Sequence, residues 1–156
     1  LAPDGMAVEP EVYQALVAAA ARLAEAGWVV DEVVTPPWQE AVHMQIRLWM
    51  VDMRHAVEGV MQAEADPDAL FVYDQFRRIS PALDLGGLMD TLQARARLTR
   101  LWRGFLAQWP LVLCPVSGKL PFENNIDVAS SADFDAVIAA QLPQIAPPLM
   151  GLPGLA

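Results

Sequence analysis

The stretch Trp109-Pro110-Leu111-Val112-Leu113-Cys114-Pro115-Val116 decides how the fold is read. An apolar run this compact, opened by one proline and interrupted by another, is too short for a helix. It suits a strand buried on both faces. Upstream of it, Leu85, Leu88, Leu92, Ala96, Thr99, Trp102, Leu106 and Trp109 recur at steps of three and four. That period predicts a long helix, which Pro110 closes. Downstream, residues 117–128 read as an irregular loop. Ser130 or Ser131 then caps a final helix carrying Phe134, Val137, Ile138 and Leu142, which Pro143 kinks or ends.

Working back toward the start, residues 28–34 predict a second strand. Its Val29-Val30 and Val33-Val34 pairs flank Asp31-Glu32, an imperfect alternation that marks an edge-like or part-exposed strand. Before it, Glu9-Pro10-Glu11 opens an amphipathic helix through Val12, Leu16, Ala19, Ala20 and Leu23, with Gly27 beyond its end. Pro36-Pro37 starts a long helix over residues 38–64, broken by Asp66-Pro67-Asp68, and a further helical stretch over residues 69–79 ends at Ser80-Pro81. The expected fold class is therefore α/β: a mostly helical chain with two or three strands of a mixed sheet. Sheets usually hold about 4 to 6 strands, so these would need neighbours the chain does not supply. Residues 1–156 read as one partial domain with no internal repeat and no complete domain boundary.

The chain has 156 residues, 54% of them hydrophobic, with five Trp and seven Met. Its mean hydropathy is +0.28. The 54% share exceeds the usual apolar share of about 45 to 50% and leaves large side chains that a small domain has difficulty covering. Residues 136–156 carry no charge, which raises the question of a membrane span. Pro143, Pro147, Pro148 and Pro153, with Gln141 and Gln144, argue against one. The abrupt apolar ending and the first residue, Leu1, instead suggest a segment of a larger protein, with no signal peptide in its opening residues.

A net charge of -9 argues against nucleic acid as a partner. Arg95, Arg97, Arg100 and Arg103 do cluster, but Arg97 and Arg100 share a helical face with Gln93, opposite the apolar positions, as a solvated face would. Cys114 is the single cysteine, so no intrachain disulfide forms and a cytoplasmic setting is expected. His43 and His55 stand twelve apart with no metal-ligand spacing, so neither a metal nor another cofactor is expected.

Few residues point to chemistry. Ser117-Gly118-Lys119 brings a hydroxyl close to the only lysine, and serine with a lysine base is a nucleophilic pairing. No glycine-rich elbow or oxyanion-donor pattern surrounds it, and the tripeptide reads first as an exposed turn. Ser130-Ser131 reads as a helix cap with Asp133 in the first turn. The carboxylate pairs Asp66 with Asp68 and Asp133 with Asp135 lie two apart, a spacing that does not share a helical face. Cys114 has no histidine near it in sequence and an apolar setting, which favours an inert thiol.

Three segments together resemble the amidase signature family. Val8-Glu9-Pro10-Glu11-Val12, running into the helix that ends Glu25-Ala26-Gly27-Trp28 and on to Val33-Val34, is similar to a helix-then-strand of that family. Trp109-Pro110-Leu111-Val112-Leu113-Cys114-Pro115-Val116 looks like its later strand, and Gly151-Leu152-Pro153 resembles its gly-leu-pro segment. The matches keep the family's order across nearly the whole chain. The chain departs from the pattern at Pro148, where the family often has asparagine, and at Gly154, where it has alanine.

The resemblance implies an amide hydrolase of an α/β/α fold in which a serine attacks the carbonyl, a lysine acts as base through a second serine, and backbone donors hold the oxyanion. Those catalysts lie in the part of the family preceding these segments, and no catalytic residue of this chain matches them. The chain would then be inactive alone and would supply part of an apolar substrate pocket, with Cys114, Val116 and Phe122 as candidate lining residues. The expected partners are a small amide substrate for the whole protein and, for uncovered apolar faces, a further copy of the chain, with neither nucleic acid nor membrane. The alternative is a helical interaction module without catalysis, whose aromatic faces dock a partner. A third reading is a small hydrolase centred on Ser117 and Lys119.

Overall fold

In the computed structural model, Pro3 and residues 5–155 are described. Leu1 and Ala156, on which the reading of the two ends rests, lie outside the described residues. The element order is α1 (Pro10–Glu25), α2 (Trp38–Asp52), a π-helical turn (Met53–Val57), α3 (Glu58–Glu64), α4 (Pro67–Ile79), α5 (Leu85–Leu106), a 3-10 turn (Ile126–Val128), α6 (Ser131–Ala140) and α7 (Leu142–Met150).

The helix boundaries follow from local chemistry. Pro10 stands in the first turn of α1, and the chain leaves that helix through Gly27 at φ +93°. Asp66 accepts from the Ala69 amide at 2.8 Å to cap α4, Asp84 accepts from Gly87 at 2.7 Å to cap α5, and Ser130 accepts from Asp133 at 3.2 Å to cap α6. Each satisfies one of the amide donors that a helix start leaves open. The helix read over residues 38–64 is interrupted: α2 gives way at Met53 to the π-helical turn before α3, which ends at Ala65 in the left-handed region.

The final helix read through Leu142 breaks at Gln141, and Pro143 lies just beyond the end of α6. It sits in the first turn of a new one, α7, where a missing amide costs nothing. Pro147 and Pro148 lie inside α7, so tertiary packing rather than backbone bonding holds it. Gly151, at φ +67°, terminates α7, and the Leu152 amide folds back onto the Pro147 carbonyl at 3.1 Å. The middle of the uncharged tract is thus the largely buried helix α7, and no helix among the described residues is long and apolar enough to cross a membrane.

The core is built where α7 lies along α2 with α5 across both. Val42, Ile46 and Met50 of α2 meet Ile145, Leu149 and Met150 of α7 and Leu98 and Trp102 of α5, all buried. Trp38 and Trp102 pack edge to face at 4.8 Å, and Arg95 Nε of α5 donates to the Leu149 carbonyl at 2.7 Å, fastening the end of α7. Phe76 and Phe134 make the corresponding edge-to-face pair at 5.1 Å between α4 and α6. Arg97 is solvated as read and also pairs with Glu40 across α2 and α5.

The α/β expectation is overturned, because no described residue lies in a strand. Residues 28–34 and 111–116 form neither helix nor ladder, and no backbone hydrogen bond links the two segments. Apolar content and β-propensity do not suffice for a strand, which exists only through hydrogen bonds to a neighbouring backbone. Neither segment meets one within the described residues.

Candidate functional site

The two segments read as strands instead form the walls of an apolar cleft of about 440 Å³. Residues 28–35 and 111–114 line it, with Trp38, Phe105 and Trp109 among the residues that complete it. Trp38 is fixed in place by its indole N–H, which donates to Thr35 Oγ1 at 2.8 Å, and by its contact with Trp102. The cleft walls are open to solvent: Val29 is 85% exposed and Leu111 68%. An apolar cleft of this size suits a small ligand. Asp31 and Glu32 are among its polar lining residues.

Of the three residues proposed from sequence to line a pocket, Cys114 lines this cleft. Val116 and Phe122 lie outside its lining. Val116 is exposed, and its carbonyl accepts from Gln144 Nε2 at 3.0 Å; Phe122 is half-buried in the loop that follows. Sequence reading missed Trp28, Trp38, Phe105 and Trp109 as lining residues. Their signal was the richness in tryptophan, which carried no indication of which rings would converge.

Burial pushes the Cys114 thiol above its ordinary pKa, so it stays protonated at neutral pH and is a poor nucleophile. Among the described residues, neither a histidine nor a lysine lines the cleft beside it.

Ser117-Gly118-Lys119 acts as a clamp. Ser117 Oγ accepts from the Lys119 amide at 3.1 Å, the Gly118 amide donates to the Ala140 carbonyl at 2.8 Å, and the Glu9 amide donates to the Gly118 carbonyl at 2.8 Å. Glu9 Oε2 in turn accepts from the Leu120 amide at 2.9 Å. The turn ties the N-terminal segment and the end of α6 to one point. Glycine is required there because a Cβ at residue 118 would stand 2.2 Å from the Ala7 carbonyl oxygen.

His43 and His55 are both exposed, on α2 and the π-helical turn, and no cluster of three metal-ligating side chains occurs among the described residues. No protein-family model matches the chain, and comparison with curated proteins finds no match either.

Proposed function

We propose that this chain supplies the apolar substrate-binding wall of an amide hydrolase and holds none of its catalytic groups. The observation that carries the reading is a coincidence of two independent lines. Trp28, Val33 and Val34, and Trp109 with residues 111–114, which belong to two of the segments resembling the amidase signature family, line the apolar cleft. The substrate class is an amide with an apolar or aromatic acyl group, because aliphatic and indole surfaces dominate the lining. In the whole enzyme a serine attacks the amide carbonyl, a lysine takes its proton through a second serine, and the leaving amine is protonated on departure. The cleft contributes by holding the acyl group in place for that attack.

The test is the coding sequence adjoining this segment. A glycine- and serine-rich stretch with a lysine upstream is the expected finding, and an upstream frame without them contradicts the proposal.

A second reading, a helical interaction module without catalysis, draws on the exposed apolar side chains along the same walls, among them Val29 and Leu111. It predicts a folded chain that associates with itself or a defined partner through this face. Size-exclusion chromatography with light scattering checks it: a monomeric chain at high concentration, with no partner recovered, speaks against it.

A further inference from the structure

The apolar cleft carries a charge pattern that its aliphatic walls do not explain. Among the described residues that line it, Asp31 and Glu32 are the charged ones, and both are acidic. The basic side chains gather elsewhere. Two other surface clefts are lined by arginine, one by Arg54, Arg77 and Arg78 and the other by Arg97 and Arg100. The ion pairs among the described residues join Arg77 to Asp74, Arg78 to Asp135 and Arg97 to Glu40, and none of them takes Asp31. Asp31 is exposed, which spares its charge the cost of burial.

Aromatic rings supply the second half of the pattern. Trp28, Trp38, Phe105 and Trp109 line the same cleft, drawn from three separate stretches of the chain. A ring face carries partial negative charge and attracts a cation within about 6 Å of its centre, tryptophan most strongly. Trp28 is 54% exposed, so part of that surface is open to a ligand. A neutral apolar ligand gains nothing from carboxylates on the lining, and they repel an anion. A metal ion finds no cluster of three ligating side chains among the described residues. A cation with an apolar body uses both features: the body displaces water from valine, leucine and indole surface, and the charge is drawn to the acid and the rings.

We propose that the cleft selects an organic ammonium, an amine or quaternary ammonium group carried on an aromatic or aliphatic body, with Asp31 meeting the charge and the rings of Trp28 and Trp109 adding to the attraction. The proposal rests on the reading of the cleft as the place where the acyl group of the substrate sits. It narrows that acyl group to one bearing a basic amine. These side chains act in binding alone, and no bond forms or breaks through them.

The test titrates the full chain at pH 7 and constant low ionic strength with three probes of similar size, 2-phenylethylammonium, phenylacetamide and phenylacetate, followed by tryptophan fluorescence. The ammonium should bind about tenfold more tightly than the neutral amide, and the carboxylate more weakly than either. Asp31→Asn keeps the shape of an exposed side chain and should weaken ammonium binding about threefold while leaving phenylacetamide unchanged. Asp90→Asn removes the same charge toward the opposite end of α5 from Phe105, and should leave the ammonium preference intact, which separates a local carboxylate from the net charge of -9. Raising the salt to about 1 M should narrow the preference on the unsubstituted chain, a measurement that requires no variant to fold. Phenylacetamide binding as tightly as the ammonium overturns the proposal and leaves the apolar cleft standing as a ligand site. Binding by none of the three overturns both. A preference undiminished in Asp31→Asn, or diminished equally in Asp90→Asn, also overturns the proposal.

Discussion

The α2–α5–α7 core and the walls of the apolar cleft are both rich in aliphatic and aromatic side chains, yet only the core is closed. In the core, each apolar face meets another helix, so Met50, Leu98 and Ala146 are fully buried. Along the walls, Val34 is 95% exposed although its side chain is as apolar as any in the core. The difference lies in where hydrogen bonds come from. A helix satisfies its backbone within itself and needs a partner only for its apolar stripe, whereas a β-segment needs another backbone before it is a strand at all.

That contrast sets expectations that run from the core outward. Trp102→Ala should cost most, about 3 to 5 kcal/mol of unfolding free energy, because it removes a fully buried ring that packs on Trp38 and Phe105. Denaturant titration measures it, and a loss below about 1 kcal/mol would place the core elsewhere. Gly118→Ala should cost about 2 kcal/mol, since the new methyl meets the Ala7 carbonyl and the clamp behind residues 111–116 must shift. Thermal unfolding reads this loss, and an unchanged midpoint would mean that the clamp yields freely. Asp84→Ala should cost about 1 kcal/mol through the lost cap on α5, visible in the same melts. Val34→Ser, on the exposed wall, should fall within about 0.5 kcal/mol of the unsubstituted chain. A cost as large as the core substitution would erase the distinction between the two regions.

The same contrast explains what the sequence revealed. Helices α1, α4, α5 and α6 were legible from apolar spacing and from Asp66, Ser130 and the prolines, all local signals. Helix α7 was not, because Pro147 and Pro148 contradict it locally and its support comes from packing of Ile145 and Leu149 against α2 and α5 and from Arg95 at its end. The π-helical turn at Met53–Val57 has no proline or glycine to announce it. Residues 28–34 and 111–116 read as strands because composition reports burial and β-propensity but not the presence of a partner. Cys114, chosen as the end of a strand that does not form, does line the cleft. The opposite wall was not legible, since residues far apart in sequence meet there only through the tertiary fold.

The cleft between residues 28–35 and 111–114 is expected to bind an apolar group. Its most direct test is a titration of the chain with phenylacetamide followed by tryptophan fluorescence, since Trp28, Trp38 and Trp109 all line the cleft. A saturable change is expected, which Leu113→Arg weakens at least about tenfold while the melting temperature stays within a few degrees, Leu113 being part exposed on the wall. No saturable change, or equal binding by Leu113→Arg, would contradict it.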